Sequence, residues 1–80
     1  HLQVMPHATI GSGIFLAASL QASAALRNVV SHEFQHSLLQ PFRHFTGNVL
    51  SCEAGFYSIP NSPGIGVEPS EAMKKKMTRI

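Results

Sequence analysis

The sequence lacks several residue types. Its 80 residues include no aspartate and no tryptophan, and Cys52 is the single cysteine. One cysteine excludes an internal disulfide, and an unpaired cysteine is more typical of a reducing, intracellular compartment than of a secreted protein. We therefore expect a cytoplasmic protein.

Charge and long apolar runs are also scarce. Three of the six basic residues form the run Lys74–Lys76, whereas a nucleic-acid surface spreads Lys and Arg among aromatic residues. The longest apolar stretch, Ile10–Leu20, is shorter than the roughly 20 residues that a membrane-spanning helix needs. We expect neither a nucleic-acid partner nor a membrane.

Two apolar segments flank a predicted helix. Leu2–Met5, ended by Pro6, predicts a short buried strand, and a second apolar run begins at Val29. Strand, helix and strand in this order form a βαβ unit with parallel strands and a right-handed crossover. Such strands need cover on both faces, so we expect an α/β chain that is one piece of a larger protein.

The helix between them is predicted over Ile14–Leu26, which is rich in Ala and Leu, both good helix formers. Ser12 is its expected N-cap. At helical spacing, the expected buried stripe is Ile14, Ala18, Ala22 and Ala25.

The second half of the chain has weaker signals. We expect a helical turn within His36–Phe45 that Pro41 interrupts, a hairpin within Asn48–Ile59 that turns at Gly55, and a loop at Pro60–Gly64. Ser70 is expected to cap a last helix over Glu71–Met77.

The segment His32-Glu33-Phe34-Gln35-His36 matches the zinc-hydrolase pattern H-E-x-x-H. On one helix, His32 and His36 would share a face and bind zinc while Glu33 activates water. The preceding residues favour a strand, and no third ligand has a fitting position, so a zinc metalloprotease-like hydrolase is an alternative only. A small non-catalytic interaction module is a further one.

His7 and Glu33 each follow a predicted strand. The carboxyl ends of parallel strands carry the chemistry in barrel and open α/β folds, and histidine moves protons near neutral pH. From position alone, His7 could also be an ordinary loop histidine, and Glu33 an ordinary surface residue.

Three stretches together resemble one family: Val4–His7, Leu16–Leu26, and Gly55–Glu68 with its Asn-Ser-Pro-Gly-Ile-Gly segment. The chain resembles the C-terminal end of the enolase superfamily, in the mandelate racemase/muconate lactonizing enzyme branch, and especially its acid-sugar dehydratases. The resemblance implies a (β/α) TIM-type barrel with a capping domain. Residues 1–45 would end the barrel, with Leu2–Met5 as strand seven, Gly13–Leu26 as helix and Val29–Glu33 as strand eight, and residues 46–80 would return to the cap.

The resemblance also implies a chemistry. Members remove a proton α to a carboxylate and stabilise the product with Mg²⁺. His7 matches the proton-transferring histidine, and Glu33 matches the acid that hydrogen-bonds the substrate carboxylate, which requires a protonated carboxyl on a buried rim. We expect a lyase that dehydrates a sugar acid, with racemisation or cycloisomerisation as alternatives.

The chain also departs from the family pattern, because it has no Asp to partner His7 and no set of acids for Mg²⁺. We therefore expect the magnesium ligands and the second base outside these 80 residues, in the remainder of a parent chain that forms homo-oligomers. The segment alone is expected to be inactive.

Overall fold

The computed structural model describes residues 2–8, 11–34 and 36–80, and His1, Thr9, Ile10 and Gln35 lie outside the described residues. In chain order the elements are α1 (Gly13–Ala25), α2 (His36–Thr46), a 3₁₀ turn (Gly47–Val49), β1 (Cys52–Glu53), β2 (Phe56–Tyr57) and α3 (Glu71–Lys74). Within the described residues, no helix is sufficiently long and apolar to cross a membrane.

The two predicted parallel strands are reduced to one parallel bridge, Val4 with Val29. The direction of pairing is as predicted, but neither Leu2–Met5 nor Val29–Glu33 forms a full strand. Parallel sheets are stable where both faces are covered, and here Leu2, Met5 and Val30 are largely exposed. The two segments are therefore paired in the register of a βαβ unit, but the described residues form no parallel sheet there.

Helix α1 ends one residue before the predicted boundary. Ser12 occupies the N-cap position, although its side chain makes no capping bond and its carbonyl instead accepts from the Phe15 amide at 3.0 Å. The predicted buried stripe is wrong, because the buried residues of α1 are Gly13, Leu16, Ala17 and Leu20. Both sets obey helical spacing, but the second carries the two leucines, whose burial contributes more.

The core lies along that face of α1. It contains the buried residues Ala8, Leu16, Ala17, Leu20 and Leu50, with Tyr57, Ile65 and Val67 packed against it. Because these residues come from both halves of the chain, the hairpin and the following loop pack against α1.

Helix α2 continues through Pro41, contrary to the expected interruption. An interior proline removes one backbone hydrogen bond and costs about 3 kcal/mol. Pro41 is exposed, and α2 packs against both α1 and α3, so tertiary contacts offset the local penalty. The helix ends at Thr46, where Gly47 takes a left-handed conformation with φ of 73°.

The predicted hairpin is present, with Cys52 opposite Tyr57 and Glu53 opposite Phe56. Its two turn residues, Ala54 and Gly55, have φ of 50° and 83°. Two successive positive values define the tight turn whose twist matches an antiparallel pair. The turn therefore falls where Gly55 predicted it.

Helix α3 is shorter than predicted, ending at Lys74 instead of Met77. Ser70 caps it, since its Oγ accepts from the Met73 amide at 3.3 Å. Lys74 donates to Glu71 at 3.1 Å and Glu68 at 3.5 Å, and these contacts, that with Glu71 first, raise the pKa of Lys74. With no buried residue in α3, little stabilises a longer helix.

Candidate active site

The bridge between the two extended segments brings the candidate residues together. The Val4 amide donates to the Asn28 carbonyl at 2.9 Å, and the Val30 amide donates to the Val4 carbonyl at 3.1 Å. Three residues further on, the Glu33 amide donates to the Pro6 carbonyl at 2.9 Å. This register places Glu33 beside His7, which follows Pro6 directly.

The two side chains face each other at the limit of ion-pair distance. His7 Nδ1 lies 4.0 Å from Glu33 Oε2, and the side chains are 64% and 52% exposed. At that separation and exposure the attraction is weak, about 0–1 kcal/mol even when the imidazole is protonated. The pair offers an imidazole that can move a proton beside a carboxyl group that can donate or accept a hydrogen bond.

The expected buried rim around Glu33 is absent from the described residues, since about half of this side chain is exposed. A carboxyl group that must stay protonated near neutral pH needs an apolar, water-excluding site. Such a site would have to be completed by residues outside this chain.

Further contacts fix the backbone carbonyl of Glu33. Its carbonyl lies 3.1 Å from His32 Nδ1 and accepts from the Tyr57 hydroxyl at 3.3 Å. His32 Nε2 lies 2.8 Å from Ser19 Oγ on α1, and the rings of His32 and Tyr57 meet edge to face at 5.5 Å. Neither Tyr57 nor Ser19 was predicted as a site residue, because nothing in the local sequence marks a contact across such separations.

The zinc hypothesis is wrong, because the geometry that it requires is not observed. It needs one helix through His32 and His36, but α2 begins at His36 and residues 31–34 are not helical. Gln35, the fourth residue of the pattern, lies outside the described residues. In addition, His32 Nε2 is already within hydrogen-bond distance of Ser19 Oγ.

Among the described residues, no group of three or more His, Cys, Asp or Glu side chains could hold a metal ion. The chain's described side chains therefore do not fit a magnesium site by themselves.

Two surface clefts have linings that do not include the His7–Glu33 pair. One, of about 500 Å³, lies between the end of α2 and α3 and includes Thr46, Ser62 and Lys74 in its lining. The other, of about 470 Å³, is lined in part by Leu20, His32 and Tyr57. Neither lining includes His7 or Glu33, whose side chains are both more than half exposed.

Comparison with known proteins identifies the family. The model of the family described as enolase C-terminal domain-like matches residues 1–73. The chain therefore belongs to this family. The membership of the enolase superfamily recognised from the sequence is confirmed, as is the predicted fold class, a C-terminal α/β segment of a larger protein.

Solved structures agree with this assignment. A protein from Sinorhizobium meliloti, provisionally described as an isomerase and solved with an open loop, is 57% identical with a TM-score of 0.86 over 94% of this chain. A member of the enolase superfamily from Agrobacterium tumefaciens is 51% identical with a TM-score of 0.88 over 99% of this chain. The chain spans only 20% of each of these proteins. No curated protein matches it.

Proposed function

We propose that the whole protein carrying this segment is a magnesium-dependent enzyme that removes the proton α to the carboxylate of a sugar acid and then eliminates water. One observation carries the proposal. In a chain of the enolase family, the paired backbone register brings an imidazole and a carboxyl group, His7 and Glu33, to a separation of 4.0 Å.

His7 is the proposed proton carrier. An imidazole can accept and return a proton near neutral pH, and the exposed ring of His7 is accessible to a substrate. A base outside this chain would take the α-proton, and His7 would then protonate the departing β-hydroxyl group, so that the Cβ–O bond breaks and water leaves.

Glu33 is the proposed substrate-binding residue. In its protonated form it would donate a hydrogen bond to the substrate carboxylate, or to the enolate that develops from it. This role requires the rest of the protein to cover a side chain that is half exposed here. The magnesium ion would be held by residues outside this chain and, when bound, would stabilise the negative charge of the enolate.

Isomerisation is the second candidate, because the 57% identical protein from Sinorhizobium meliloti is described as an isomerase. Racemisation begins with the same loss of the α-proton but returns a proton to the opposite face. The products differ: dehydration gives water and, after tautomerisation, a 2-keto-3-deoxy acid, whereas racemisation gives the α-epimer. Proton NMR of a reaction with D-gluconate and related aldonic acids in D₂O distinguishes the two.

The test of His7 is His7→Asn in the whole protein. Loss of a general acid or base lowers turnover by about 10²–10⁴-fold, while the circular dichroism spectrum stays unchanged because His7 is exposed. His44→Asn is the matched control, since His44 is an exposed histidine on α2. Wild-type turnover by the His7→Asn protein would contradict the role of His7.

A further inference from the structure

We infer that His32 and Tyr57 are positioning residues that align Glu33 by holding its backbone carbonyl. The inference rests on the proposed function, in which Glu33 contacts the substrate. Both residues contact the Glu33 peptide group, and their effect on the candidate pair passes through it.

The polar backbone groups of Glu33 are bound on both sides. Its amide donates to the Pro6 carbonyl at 2.9 Å, and its carbonyl faces two donors, His32 Nδ1 at 3.1 Å and the Tyr57 hydroxyl at 3.3 Å. A carbonyl oxygen has two lone pairs, so these two donors can occupy both. The Glu33 peptide planes are therefore fixed from two directions.

The contacts also assign the tautomer of His32. A carbonyl oxygen only accepts, so Nδ1 must carry the hydrogen that points to Glu33. In the neutral ring Nε2 is then an acceptor, and the Ser19 hydroxyl 2.8 Å away donates to it. The Ser23 hydroxyl donates in turn to the Ser19 carbonyl at 2.7 Å, which links this chain of contacts to the next turn of α1.

Tyr57 brings the hairpin into the same arrangement. Its hydroxyl reaches Glu33 across 24 residues of sequence, and its ring packs edge to face against His32 at 5.5 Å and against Phe34 at 6.0 Å. Three parts of the chain are thus linked through this carbonyl: the segment that contains His32 and Glu33, the hairpin through Tyr57, and α1 through the contact of Ser19 with His32.

Positioning matters here because the contact with His7 does little to align the Glu33 side chain. The 4.0 Å contact between His7 and Glu33 is weak, and both side chains are more than half exposed. A catalytic group must be held to within about 0.5 Å of its productive position. In this arrangement the Glu33 backbone supplies that constraint.

The test uses three variants of the whole protein. An Asn side chain places an amide nitrogen where His has Nδ1, whereas a Gln side chain places one near Nε2. His32→Asn keeps the donor to Glu33 and should retain activity close to wild type. His32→Gln loses that donor, and Tyr57→Phe loses the second donor while keeping the ring, so each should lower kcat by about 10–100-fold, the effect of a displacement on the order of 1 Å.

A double variant separates positioning from general stability. If His32 acts through Glu33, then adding His32→Gln to Glu33→Gln should lower α-proton exchange of D-gluconate or a related aldonic acid no further than Glu33→Gln alone. Equal losses in His32→Asn and His32→Gln, or additive losses in the double variant, would overturn the inference.

Two readouts are independent of activity. Selective ¹⁵N labelling of histidine should show His32 with its hydrogen on Nδ1, and crystal structures of the His32→Gln protein should show the Glu33 carbonyl displaced by about 0.5 Å or more. An Nε2-protonated ring or an unmoved carbonyl would reject the positioning role. Lack of exchange by the wild-type protein, with these two results as expected, would reject the proposed function alone.

Discussion

Gly66 packs directly against the ring of Pro60, and a methyl group added at Gly66 has no room. A Cβ at this position would collide with Pro60 Cβ and lie 3.2 Å from the Pro60 carbonyl oxygen. Gly66 also has φ of 83°, a left-handed conformation that costs other residues about 1–2 kcal/mol. The Gly66→Ala substitution therefore combines backbone strain with overpacking.

Gly64 separates the two effects, because it shares the positive φ, 70°, but a Cβ added there would meet no atom within 4 Å. Gly64→Ala should cost only the conformational penalty of about 1–2 kcal/mol. Overpacking adds about 1–3 kcal/mol, so Gly66→Ala should cost about 2–5 kcal/mol. The difference between the two variants measures the steric part.

The strain should appear locally, because Pro60 is fastened to α1. Gln21 Nε2 donates to the Pro60 carbonyl at 2.7 Å and to the Ile65 carbonyl at 3.4 Å. Moving Pro60 away from the new methyl group would break this link and loosen the loop.

Hydrogen exchange of the whole protein, followed by mass spectrometry of peptides over residues 58–70, measures that loosening. Opening should become at least about 30-fold more frequent in Gly66→Ala, since about 1.4 kcal/mol corresponds to a factor of ten. Equal exchange in Gly66→Ala and Gly64→Ala would refute the steric argument.

Two further substitutions test the hairpin and the core. Ala54 has φ of 50°, so Ala54→Asn should stabilise the turn by up to about 1 kcal/mol. It should also slow exchange of the Ser58 amide, which donates to the Ser51 carbonyl at 3.1 Å across the hairpin, whereas Ala54→Val should speed that exchange. Leu50 is fully buried, and Leu50→Ala should lower the free energy of unfolding by about 2–5 kcal/mol in chemical denaturation. Val49→Ala, at a 46% exposed neighbour, should change it by less than about 0.5 kcal/mol.

The elements that could be predicted from the sequence are those with strong local signals. The Ala- and Leu-rich stretch of α1 favours a helix whatever surrounds it. Gly55 supplies the positive φ that a tight hairpin turn requires. In both cases the neighbouring residues alone carry the preference, so the rest of the fold is not needed to predict it.

Other features depend on packing and could not be predicted in this way. Almost every position of α1 is apolar or small, so periodicity does not decide which face is buried. Pro41 predicts a helix break, and only the packing of α2 against α1 and α3 overrides it. The prediction for the end of α3 is wrong for the opposite reason: Lys75–Met77 are exposed, so burial contributes little to a longer helix.

The candidate site likewise contains one contact that could be predicted from the sequence and one that could not. The approach of His7 to Glu33 was predictable, because adjacent parallel segments end at one edge, and the bridge at Val4 fixes their register. The contact of Tyr57 with the Glu33 carbonyl was not, because it depends on how the hairpin packs against the first half of the chain.

In this candidate site, the reactive groups are side chains, whereas the groups that align Glu33 bind its backbone. The candidate pair contributes an imidazole and a carboxyl group, whose mutual contact is too weak to orient Glu33. The orientation of Glu33 comes from hydrogen bonds to its backbone, donated by His32 and Tyr57 and accepted by Pro6. Replacing the functional groups of the pair should therefore remove reactivity and leave the backbone in place, whereas replacing the donors should move the backbone and leave the functional groups intact.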